Sequence, residues 1–69
     1  MGEQAAHVPR IVVKVGCRYE VLYRDAVGEV TERVIVVREK RGGYIFAFCE
    51  LKNEGRCFLR SRILKIKPL

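Results

Sequence analysis

The chain has 69 residues, 49% of them hydrophobic and 32% charged, and 14 Lys or Arg against 8 Asp or Glu give a net charge of +6. A chain this short buries only ~60% of the surface it exposes unfolded, which excludes a multi-domain enzyme with a deep cleft. No apolar run approaches the ~20 residues of a membrane-spanning helix, and Met1 to Gln4 do not open a charged region followed by a long apolar one, so neither a span nor a secretory leader is expected.

The texture is that of β-structure: short runs of Val, Ile, Tyr and Phe separated by Gly or charged clusters. Residues 1–9 are expected to form a flexible N-terminus, and 10–69 a single domain. Ile11 to Val15 reads as a first strand, because its β-branched residues disfavour a helix. A short helix over residues 4–14 is the alternative, against which Pro9 and the valines argue. Arg18 to Arg24 alternates well, with Tyr19, Val21 and Tyr23 on one face. Asp25-Ala26-Val27-Gly28 is a turn. Val30 to Arg38 is a longer strand whose unbroken Val34 to Val37 suggests burial on both faces. Lys40-Arg41-Gly42-Gly43 is a hairpin turn leading into Tyr44 to Cys49, the most apolar strand. Lys52-Asn53-Glu54-Gly55 reads as a further turn, followed by a strand from Arg56 to Leu59. Ser61 interrupts, and Ile63, Leu64 and Ile66 make a last short strand before Pro68. Five or six strands at about ten-residue intervals, with no helix to cover the sheet edges, predict an all-β, small five- to six-stranded barrel.

The charge is unevenly placed. Residues 1–37 carry five basic and five acidic groups, whereas residues 38–69 carry nine basic and three acidic. A basic half-chain attracts polyanions by Coulomb steering and counterion release. Three cysteines, Cys17, Cys49 and Cys57, are an odd number without Cys-x-x-Cys spacing, and His7 is the one histidine. They are expected reduced and mostly buried in a cytoplasmic protein, with no metal and no cofactor. Cys49 and Cys57 are placed to face each other across a hairpin.

Nothing supports nucleophilic catalysis, since the one Ser, one Thr and one His are scattered. The carboxylate pairs Glu29 with Glu32 and Glu50 with Glu54 sit among basic residues, where solvated ion pairs are the default. No enzyme is expected. Binding chemistry is better represented. The two-residue period sets Tyr44, Phe46 and Phe48 on one face of their strand and Arg56, Phe58 and Arg60 on one face of the next, with Arg62 continuing that parity. Rings beside guanidinium groups suit base stacking and phosphate pairing. In so small a core the three Phe are expected inside, leaving Arg56, Arg60, Arg62 and Lys65 as the binding groups.

Three segments, Arg24 to Val34, Gly42 to Lys52 and Arg56 to Ile63, together resemble the WYL domain in order and spacing. That family is named for a Trp-Tyr-Leu run on a central strand and has a later Arg-x-Phe-Arg-x-Asp-Arg-Ile-like segment. Tyr44 and Ile45 match the Tyr-Leu, and Arg56, Phe58, Arg62 and Ile63 match the later segment. Gly43 replaces the Trp, Leu59 stands where a second Arg is usual, and Ser61 replaces Asp, with Arg60 able to supply charge from the adjacent position. The resemblance implies an SH3/Sm-like barrel in a bacterial cytoplasmic protein. It also implies a role as an accessory or regulatory domain of a helicase or transcription regulator. Its partner would be single-stranded DNA or RNA. The alternatives are sensing of a nucleotide-like anionic ligand, or protein interaction through a strand edge. Tyr44 and Arg33, from the matching segments, join the expected binding residues.

Overall fold

The computed structural model describes residues 12–69, which form one sheet of five antiparallel strands. Strand β1 (Arg18–Arg24) buries Tyr19, Val21 and Tyr23 and keeps Arg18 and Arg24 exposed, as its alternation dictates. The Asp25 side chain holds the following turn, its Oδ1 accepting the N–H groups of Val27 at 3.0 Å and Glu29 at 2.9 Å. Strand β2 (Val30–Arg41) runs on to the hairpin turn. Gly42 occupies the first central position there with φ 58, which a type II′ turn requires. Strand β3 (Tyr44–Cys49) has the expected bounds.

Strand β4 (Glu54–Leu59) starts two residues earlier than expected. The turn before it is Glu50 to Asn53, with Asn53 taking the left-handed conformation at φ 55, and Gly55 lies within the strand. A single 3-10 turn (Arg60–Arg62) falls where Ser61 interrupts the pattern, and strand β5 (Ile63–Pro68) follows.

Of the strand expected at 11–15, the described residues 12–15 form none. Residue 11, like the flexible N-terminus assigned to 1–9 and most of the alternative helix over 4–14, lies outside the described residues. Within 12–15 the chain is irregular, with Val12 and Val15 exposed and only Val13 inserted into the core. This segment is tied down individually: the Lys14 N–H donates to the Tyr19 hydroxyl at 2.8 Å, and the Gly16 N–H to the Val37 carbonyl at 2.7 Å.

One face of the sheet carries the core: Val13, Tyr19, Val21, Tyr23, Ile35, Val37, Ile45, Ala47, Cys49, Phe58 and Ile63 are all buried. Val34 and Val36, on the other face of β2, are half-buried, so the unbroken apolar run serves both faces.

The expected five- to six-stranded SH3/Sm-like barrel is corrected. The strand order is β4-β3-β2-β1-β5, and the sheet stays open, with β4 and β5 as its two edges. The reason lies at the ends of those strands. The chain leaves β4 through one tight turn, and β5 directs its hydrogen bonds to β1, pairing Tyr23 with Ile63 and Tyr19 with Pro68. Between β1 and β4, side chains take the place of a closing ladder. The Tyr23 and Phe58 rings meet edge to face at 5.0 Å, and the Tyr23 hydroxyl accepts the Leu59 N–H at 3.0 Å. The open edges are protected by charge and proline, with Lys65, Lys67 and Pro68 on β5 and Glu54 and Arg56 on a short β4.

Candidate functional site

The sheet face opposite the core holds an aromatic file along β3. Because Ile45, Ala47 and Cys49 point into the core, Tyr44, Phe46 and Phe48 point away from it. The expectation that all three Phe are core residues therefore holds for Phe58 alone; Tyr44 is 47% and Phe46 37% exposed, and Phe48 is half-buried. The Tyr44 and Phe46 rings are stacked, with centroids 6.4 Å apart and planes 29° from parallel.

Beside this file a bulge in β2 re-aims a charge. Val37 pairs with Ala47 and Glu39 with Phe46, so Arg38 is an extra residue in the register. Its guanidinium carbon stands 5.9 Å from the centre of the Phe48 ring. On the other side, Phe48 is paired with Gly55 and Phe46 with Cys57 of β4. A side chain added at Gly55 would meet nothing within 4 Å. The result is a depression of about 450 Å³ whose walls include Arg38, Phe46, Phe48, Gly55, Arg56 and Cys57.

Of the residues the sequence singled out, Tyr44 and Arg56 lie in or beside this region. Arg56 pairs with Glu54 at 3.5 Å, an exposed contact that holds it weakly. Arg60 and Arg62 are half-buried in the 3-10 turn, where the Arg60 N–H donates to the Gly43 carbonyl at 2.8 Å, next to Tyr44. Lys65 lies elsewhere, in a shallow depression between β1 and β5 shared with Glu20, Glu32 and Lys67. Arg33 is half-buried on the core face and turned inward to Thr31 Oγ1 at 3.1 Å and Cys49 Sγ at 3.5 Å. The six residues thus do not form one patch. Arg38 and Gly55 were missed: Gly55 reads as a turn glycine, and Arg38 enters the site only through the bulge.

The cysteines are all free. Cys17 and Cys57 are exposed and only Cys49 is buried, which corrects the expectation that most are inside. Cys49 pairs with Glu54 and Cys57 with Phe46, so the two cysteines lie on opposite faces and do not meet. Among the described residues no group of three or more His, Cys, Asp or Glu could hold a metal ion, and no helix is long and apolar enough to cross a membrane.

The carboxylate of Glu50 receives two hydrogen bonds from the Arg18 guanidinium, at 2.8 and 3.0 Å, tying the start of β1 to the turn after β3. These bonds hold the Glu50 carboxyl below the usual carboxylate range and raise the Arg18 pKa above its ordinary value. No family model matches the chain, and no curated protein matches it closely enough to be counted a relative.

Proposed function

We propose that this domain binds single-stranded nucleic acid on the outer face of β3 and its flanking strands, as an accessory or regulatory module of a larger DNA- or RNA-processing protein. The observation that carries the reading is the exposed aromatic file Tyr44, Phe46 and Phe48 with Arg38 against Phe48; Arg56 borders the depression from the edge strand β4, where its pairing with Ala47 gives it the parity of the core side. Aromatic faces supply stacking that tolerates any base, and guanidinium groups supply phosphate contacts. The surplus of positive charge in residues 38–69, the half of the chain that builds this face, supports the same partner. The resemblance to WYL domains agrees with it.

The test is fluorescence anisotropy of labelled single strands and the matching duplex, titrated with the protein across a range of salt. Single strands bind more tightly than duplex, and affinity falls as salt rises. The double variant Arg38→Glu with Arg56→Glu weakens binding and lowers the salt slope by roughly 0.7 for each phosphate that is no longer neutralised. An unchanged affinity in that variant would remove these arginines from the site. Saturation by a mononucleotide, with no gain from longer strands, would instead support a sensor of a small nucleotide-like anion.

A further inference from the structure

Resting on that reading, we infer that Tyr44 and Phe46 are the two walls of a slot that admits one base, with Phe48 and Arg38 forming a second station next along β3. Side chains two residues apart on a strand stand ~6.8 Å apart, because each residue advances the chain by ~3.4 Å. Stacked bases are spaced by ~3.4 Å, so two rings separated by about twice that distance leave room for one flat base between them. The Tyr44–Phe46 centroid separation of 6.4 Å and the 29° between their planes approach that condition.

The neighbours agree with a slot. Tyr44 and Phe46 are more exposed than any aromatic of the core, where Tyr19, Tyr23 and Phe58 are at most 9% accessible. On the β4 side they face Leu59 and Cys57, small or apolar groups that suit the body of a base. On the β2 side they face Arg41 and Glu39, which pair with each other at the surface and leave a polar rim for base edges and phosphate. Arg38 is paired with no carboxylate among the described residues, so its charge is available to the backbone of a strand lying along the file. Gly55 keeps the ground beside Phe48 open for the second base.

The ligand chemistry that fits is a short single strand with at least two adjacent unpaired bases, recognised by their faces and not by sequence. The experiment uses the full chain and a decamer carrying one 2-aminopurine, whose fluorescence is quenched when it stacks. Wild-type protein is expected to quench it on binding. Phe46→Ala, and separately Tyr44→Leu, are expected to abolish the quench and to weaken binding roughly 5- to 150-fold, the worth of one base–aromatic stack. A decamer with an abasic site at the labelled position is expected to lose affinity for wild type and to lose little more for Phe46→Ala. Binding that persists in both ring variants with its salt dependence intact would overturn the slot and leave the nucleic-acid reading standing. No binding of any single strand by wild-type protein at low salt would overturn both. Because both rings lie at the surface, thermal melts of the two variants are expected near that of wild type, which keeps loss of binding distinct from loss of fold.

Discussion

Phe46 and Phe58 have the same side chain and opposite duties, and the difference is set by strand parity. Phe58 is 1% exposed and packs edge to face on Tyr23, whereas Phe46 is 37% exposed on the outer face. Truncating a buried Phe costs about 3–5 kcal/mol, from the transfer energy forfeited and the cavity left behind. Phe58→Ala should therefore unfold much of this small domain, while Phe46→Ala should lie close to wild type in urea melts. Equal destabilisation of the two would show that the outer file is structural. The hydroxyl of Tyr23 has a separate task, because it accepts the Leu59 N–H at the open edge of the sheet. Tyr23→Phe keeps the ring packing and leaves that donor without its partner. A loss of about 1–3 kcal/mol in the same melts is the expected outcome.

At the scale of strands, the bulge at Arg38 decides which residues form the candidate site. Counting back from the Gly42–Gly43 turn, simple alternation would set Lys40 opposite Ile45 and Arg38 opposite Ala47, aiming the Arg38 charge at the core side. It would also turn Ile35 and Val37 outward. Shifting the register by one residue at Arg38 returns Ile35 and Val37 to the core and releases the guanidinium toward Phe48. The sequence could not announce this, because Val34 to Val37 is apolar at every position and satisfies either parity. The strands with clean alternation or a tight glycine turn, β1 and β3, were legible to the residue. The open edges were not, since strand count and spacing do not say whether the first and last partners meet. Gly55 shows the same limit: it looks like a turn glycine, yet it sits in β4 opposite Phe48 with empty space where a side chain would be. Gly55→Leu should fill the depression beside Phe48 without strain in the fold. Oligonucleotide affinity is expected to fall roughly tenfold, within the worth of one stacked base, while the melting curve holds or improves. Retained affinity would place the ligand away from β4.

Over the whole molecule the chain divides by charge, with a neutral first half and a second half that carries the net +6. The fold joins the two halves through β1–β5 and β2–β3 pairing and through one bidentate ion pair, Arg18 with Glu50. That pair closes the sheet's end away from the Gly42–Gly43 hairpin, where Glu20, Glu32 and Glu50 line one shallow depression. Its pH dependence has a definite sign. The Glu50 carboxyl is held below its unfolded-state value by the Arg18 hydrogen bonds, so its contribution to stability is present above that unfolded value and disappears as pH falls through the folded one. Solvent screening keeps the contribution small, because both groups are exposed. Glu50→Gln should accordingly be slightly less stable than wild type at neutral pH, and the two should converge in strong acid. Urea melts at pH 7 and pH 3 measure this directly, and a difference that stays constant across the range would assign the effect to packing instead of charge. The same variant adds one net positive charge just past the end of the ring file, two residues after Phe48. Its affinity for single strands should therefore rise modestly at low salt and match wild type at high salt, where screening shortens the reach of every surface charge.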